Sequence, residues 1–291
     1  MRVSCPGRGL LLAALLAFGM ATPALAQEQL PEGVTLDVFA SGVAADVPQS
    51  ADQILLVELT MQPGAVLPLE PDDQIVSLVA IREGELEGKL DAPVQINRAG
   101  AAPEAAEQAT AGTLFTLAAG DSALIPAGAV GEVRPGDAVM SALVFLAAPA
   151  TSDDGNANVM PQGVTFTPLA AGETPDLGTS GGYIWLGEFK LEPGAMFPGQ
   201  AQPGAELGAG TAGEFTVKTT GGPGFVVLRD FTRSVLAGES PQVTEETSDD
   251  TVTFGADDAV FFPDGNTVDI SNEGSTEAVT LFGGIGPLPT E

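Results

Sequence analysis

Apolar residues in this chain come in short runs, and the runs are closed by turn formers almost as soon as they begin. ILLVEL (54–59), ALVFL (142–146), FVVL (225–228) and AVFFP (259–263) are bounded by Gly, Pro, Asp or Asn. Runs of this length with such flanks read as β-strands buried on at least one face. With 37 Gly and 23 Pro, turns recur too often for long helices to form. Residues 102–112, APEAAEQATAG, carry the one helical pattern, a turn or two of helix, with a polar loop as the alternative. GGPG (221–224) lacks the lysine and following helix of a phosphate loop and reads as a hairpin connection. Many short strands at near-regular spacing predict an all-β chain of sandwiches or closed barrels.

The pattern is written twice. PEGVTLDVFASG from Pro31 returns as PQGVTFTPLAAG from Pro161, and LLVELTMQPGA (55–65) returns as WLGEFKLEPGA (185–195). Gly33, Gly42, Pro63 and Gly64 map onto Gly163, Gly172, Pro193 and Gly194 at one constant offset. An internal repeat of this length predicts two equivalent barrels, residues 27–149 and 161–291, each closing on itself. Residues 150–160 between them are polar and turn-rich, as a linker is. Asp154, Asn156 and Asn158 there imitate the start of a calcium loop. Val159 replaces the required glycine, however, and Thr165 the closing glutamate, so a plain linker fits better.

Residues 1–26 stand apart from the repeat. Arg2 and Arg8 precede an apolar run from Leu10 to Met20, and Ala24-Leu25-Ala26 offers a small-x-small cleavage site. The segment reads as a secretory signal peptide, its run too short to span a bilayer. The expected mature protein is secreted or held in the cell envelope, with no membrane span. It loses Cys5, the sole cysteine, and with it any disulfide. The chain has 39 acidic against 10 basic residues, a formal charge of −29. Such a surface repels phosphate backbones, so nucleic acid is not an expected partner.

The glycine–proline frame of both halves resembles that of the cupin superfamily, small jelly-roll barrels with a first motif G-x5-H-x-H-x3-4-E-x6-G and a second G-x5-P-x-G-x2-H-x3-N. In the second half Gly194, Gln200, Gln202, Glu206 and Gly213 fall at the first set of spacings, and Asp257, Pro263, Gly265, Val268 and Asn272 at the second. In the first half the matching residues are Gly64, Glu70, Asp72, Ser77 and Gly84, then Gly120, Pro126, Gly128, Gly131 and Pro135. The resemblance implies two tandem cupin-type jelly-roll barrels. It also implies where chemistry would sit, because active members hold a transition metal with three histidines and a glutamate. Here the ligand positions are Gln200, Gln202, Glu206 and Val268 in one half and Glu70, Asp72, Ser77 and Gly131 in the other. The chain contains no histidine, and neutral amides are poor ligands for such metals.

No metal or other cofactor is therefore expected. Without histidine no Ser-His-Asp or Cys-His arrangement can be assembled. The expected function is a non-catalytic bicupin that binds a small polar molecule or a surface partner, with Gln200, Gln202 and Glu206 as hydrogen-bonding groups. The alternatives are an enzyme with an atypical oxygen-ligand or metal-free carboxylate site, and a structural envelope protein. Glu70 and Asp72 supply too few oxygens for calcium. Tyr183 and Trp185 share one strand face, as core packing or a sugar-stacking platform, packing being the simpler reading. Protein purified from its own host should carry far less than one equivalent of manganese, iron, nickel, copper or zinc. EDTA should leave its melting temperature unmoved, and stoichiometric metal would overturn the assignment.

Overall fold

A computed structural model describes residues 30–288 apart from 49–50, 72, 102–104, 150–159, 174, 176–180, 202–203 and 246–250. The proposed signal segment, the linker, Asp72 and Gln202 thus lie outside the described residues. The first repeat contributes eleven strands: β1 (Val34–Ala44), β2 (Gln53–Met61), β3 (Leu67–Leu69), β4 (Val76–Glu83), β5 (Glu85–Leu90), β6 (Val94–Asn97), β7 (Glu107–Ala109), β8 (Leu114–Ala118), β9 (Ser122–Ile125), β10 (Gly131–Pro135) and β11 (Met140–Ala148). The second contributes β12 (Val164–Glu173), β13 (Gly182–Leu191), β14 (Met196–Ala201), β15 (Ala205–Ala212), β16 (Glu214–Gly221) and β17 (Val226–Arg229). A short helix α1 (Phe231–Leu236) follows, then β18 (Gln242–Glu245), β19 (Thr251–Gly255), β20 (Ala259–Phe262), β21 (Thr267–Ser271) and β22 (Ala278–Gly286). The chain is all-β, two jelly-roll barrels in tandem, and every strand pair among the described residues is antiparallel. Of the helical pattern at 102–112, residues 102–104 lie outside the described residues and Ala105 is in a 3₁₀ turn. Glu107–Ala109 instead pairs with β6 as an edge strand, where ladder hydrogen bonds outweigh a weak local helix preference.

Each barrel has a seven-stranded and a four-stranded sheet, and the large sheets do not respect the repeat boundary. Their orders are β12-β2-β11-β4-β9-β6-β7 and β1-β13-β22-β15-β20-β17-β18. β1 thus pairs with β13 of the second half from Val34↔Leu191 to Ala44↔Gly182, and β12 pairs with β2 of the first from Val164↔Met61 to Glu173↔Gln53. The halves exchange their first strands, which corrects the expectation that each closes on itself. The reason lies in where the apolar face of these strands goes. Both ladders bulge at the same place in the repeat, between Val38 and Ala40 and between Pro168 and Ala170. A bulge re-aims one side chain, and here Phe39 and Leu169 pack against the core between the two barrels. Pro168, with no N–H to give to a ladder, fits that position.

Strand alternation divides the residues between two kinds of core. On β2, Ile54 and Leu56 face the seam between the large sheets, while Val57, Leu59 and Met61 face the first barrel's interior. On β13, Ile184 and Leu186 face the seam, and Trp185, Phe189 and Leu191 the second barrel. Two turns show how the frame shared by the repeats survives substitution. Asp257 adopts φ 69° where the first half has Gly120 at φ 88°, a left-handed conformation that aspartate tolerates better than most residues. Asn272, buried, donates to the carbonyls of Leu191 and Thr276 and accepts from the Gly274 N–H, tying the last hairpin to β13.

Strand exchange should be visible in solution. With a protease site engineered into residues 150–159, the cleaved halves should co-elute as one species in size-exclusion chromatography without denaturant. Separation of the two fragments under those conditions would contradict the exchange.

Candidate functional site

The functional positions lie on three neighbouring strands of the second barrel. Trp185 of β13 pairs with Gly284 of β22, and Gly284 pairs with Glu206 of β15. The three side-chain positions form one row facing the interior. A Cβ at Gly284 would lie 2.3 Å from Cζ2 of Trp185, so only glycine leaves room for the indole to lie across the row. The indole Nε1–H then donates to Oε2 of Glu206 at 3.2 Å. The equivalent row in the first barrel is Leu55, Leu146 and Ser77. In the second barrel the leucine of the first position has become tryptophan, the leucine of the second glycine and the serine of the third glutamate.

Around Glu206 the barrel encloses a cavity of about 110 Å³. Six phenylalanines, Tyr183 and Trp185 line it, half of the chain's 16 aromatic residues. Phe189, Phe215 and Phe254 stack in series, with centroids 6.1 and 5.0 Å apart. Tyr183 stacks on Trp185 at 5.9 Å. Leu36 and Val38 of the exchanged strand complete the wall, and Val38, 41% exposed, lies where the cavity approaches the surface. Glu206 borders the cavity and is half-buried by surface area, yet protein surrounds it. Burial pushes its carboxyl up to about 7, and the hydrogen bond from Trp185 opposes the rise without cancelling it.

Among the described side chains, none of the other predicted positions lines this cavity. Val268 is 2% exposed and belongs to the packed core, opposite Gln200 and Thr219 in the ladders. Gln200 has its backbone in β14, and no placement of its side chain is described. In the first barrel Ser77 is half-buried and lines a larger cavity of about 430 Å³. Glu70 is exposed at its mouth, with its backbone N–H donated to Asp73 Oδ2. Gly131 carries no ligand; a Cβ there would meet the Lys89 carbonyl at 2.1 Å, so the glycine serves backbone packing between β3 and β5. A transition-metal centre does not fit these residues. Of the positions expected to hold ligands, Val268 presents a hydrocarbon, and Glu206 is engaged by an indole.

The sequence placed Tyr183 and Trp185 on one strand face, with core packing the simpler reading; their place on the cavity wall, and Gly284 beside the indole, it did not anticipate. Their signal was the size exchange between repeats, Leu55 to Trp185 matched by Leu146 to Gly284. It becomes readable only when cross-strand partners are known.

No family model matches the chain, and none of the curated proteins is similar to it. Solved structures with similar backbones include a variant of the Bacillus subtilis oxalate decarboxylase, at 12% identity and TM-score 0.46, covering 86% of this chain and 73% of that one. Another is the formate complex of the Lactobacillus farciminis oxalate decarboxylase, at 12% identity and TM-score 0.46, covering 86% of this chain and 87% of that one.

Glu206 should dominate one part of the pH dependence of stability. Its folded value, about 7, lies above the usual carboxylate value of 4.5. Between those limits the folded state therefore holds a proton that the unfolded chain releases, and stability falls as pH rises. Glu206→Gln removes this contribution. In urea unfolding, the free-energy difference between wild type and variant should move in the variant's favour by ~3 kcal/mol from pH 4.5 to pH 8. A difference independent of pH would show that the carboxyl is not desolvated.

Proposed function

We propose that the chain is an exported binding protein without catalytic chemistry, and that its ligand site is the aromatic cavity of the second barrel. The supporting observation is the Trp185–Glu206 pair set into a mostly apolar wall, to which Tyr183 and Thr280 bring the other hydrogen-bonding groups. Few polar groups among aromatic rings suit a compact molecule with an apolar body and a small polar group, which narrows the small polar ligand expected from Gln200 and Gln202. Size restricts it further. An apolar cavity of roughly 150 Å³ can hold benzene, so this smaller one suits a ligand of about five heavy atoms. The first cavity, wider and lined with a single aromatic residue, Phe166, has Ser77, Glu70 and Asp73 as its polar lining and no aromatic cage around them.

A second reading has Glu206 move a proton to or from a bound molecule, since a carboxyl titrating near neutrality is suited to acid–base work. Recovery of the bound molecule unchanged after long incubation separates binding from turnover.

Trp185 is the only tryptophan in the chain, so its emission reports the cavity directly. Titration with tert-butanol should give a saturable change in emission, whereas the bulkier benzyl alcohol should give none. Ile270→Phe, which extends a larger side chain from the cavity wall, should abolish the response while leaving the far-ultraviolet circular dichroism of the β-structure in place. A linear, non-saturating response identical for both alcohols would rule the cavity out as a site.

A further inference from the structure

The strongest unexplained feature of the cavity is the absence of a counter-charge for its acid. None of the ion pairs among the described residues includes Glu206. Its donor there is a neutral indole. A carboxylate enclosed by hydrocarbon is costly unless something positive or hydrogen-bonding meets it. The walls are themselves suited to a cation. Aromatic faces carry negative potential and attract ammonium groups most strongly when water is excluded, and cages of such rings bind quaternary ammonium. The first barrel, by contrast, has one aromatic residue in its cavity wall and a serine in place of Glu206. Aromatic enrichment and the buried acid thus occur together, in the same barrel. The chain's charge of −29 also draws cations toward its surface.

We infer that the aromatic cavity of the second barrel binds a small methylated ammonium, with its methyl groups among the phenylalanine rings and its charge facing the Glu206 carboxylate. This rests on the binding role proposed above and adds the charge of the ligand. A tetramethylammonium-sized head, five heavy atoms, matches the cavity of about 110 Å³. A long substituent would have to leave past Val38 and Tyr183. An ordinary primary ammonium would suit the site less, because its N–H donors would lose water and find one carboxylate in exchange.

The test is a titration of the full mature protein with tetramethylammonium chloride at pH 8, where the Glu206 carboxyl is mostly ionised, followed by Trp185 emission, with tert-butanol as the uncharged probe of equal heavy-atom count and sodium chloride as the salt control. The expected result is saturable binding of tetramethylammonium about tenfold or more tighter than tert-butanol. Glu206→Gln should erase most of that preference, weakening tetramethylammonium by a clearly larger factor than tert-butanol. Phe197→Leu, which keeps the wall apolar but removes a ring, should weaken the cation more than the alcohol. It serves as the second check if the Glu206 variant folds poorly. Equal binding of cation and alcohol would overturn this inference and leave the binding role standing. Saturation by neither would overturn both. A response to tetramethylammonium that sodium chloride reproduces would be a surface salt effect and would equally overturn it.

Discussion

The two seven-stranded sheets press their outer faces together, and this apolar seam dictates what the strands crossing it can be. Side chains alternate along a strand, so a residue that serves the seam leaves its neighbours to a barrel interior. On β11, Phe145 and Ala147 face the seam while Val144 and Leu146 face the first barrel. The equivalent residues of β22 are Gly283 and Ile285 toward the seam, with Phe282 and Gly284 toward the second barrel. A Cβ at Gly283 would lie 2.9 Å from Phe145 and from Leu186, and 3.3 Å from Leu56. Two phenylalanines could not meet there. One repeat supplies the large residue and the other its absence, and close packing tolerates no other arrangement.

The exchanged first strands follow from the same seam. Ala40 and Ala170 are buried within it, and the bulges beside them bring Phe39 and Leu169 onto it. Arg82 of the first half lies 4.3 Å from the ring centre of Phe39, and Thr232 of α1 donates to the Pro168 carbonyl of β12. Each barrel is consequently incomplete without the other half. Leu36 and Val38 wall the second cavity, and Met160, Pro161 and Phe166 wall the first. A change in one repeat's leading strand is felt in the ligand space of the other.

Within this frame the interior rows of the two barrels differ at all three positions. Replacement of leucine by glycine at 284 creates room on the interior face, and a tryptophan rather than a leucine at 185 fills it. The indole N–H then meets a glutamate in place of a serine. None of the three changes alone makes a site. An indole beside Leu146 would clash, and a buried glutamate beside leucine would lack any donor from that row.

Much of the architecture was legible in the chain. Turn residues at short intervals set strand length, the constant offset between Gly33 and Gly163 or Gly64 and Gly194 announced two copies, and the motif spacing placed Glu206 on an interior face. These are local properties, carried by backbone preference and strand periodicity. Gln200, Gln202 and Val268 were placed by spacing alone. Val268 proved to be packed in the core, because spacing determines a side chain's strand face and not what fills the space beyond it. Strand exchange, the meeting of Phe145 with Gly283 and the donation from Trp185 to Glu206 join residues far apart in sequence. Only the tertiary structure could decide them, since cross-strand register and the volume left by a neighbouring sheet are properties of the assembled fold.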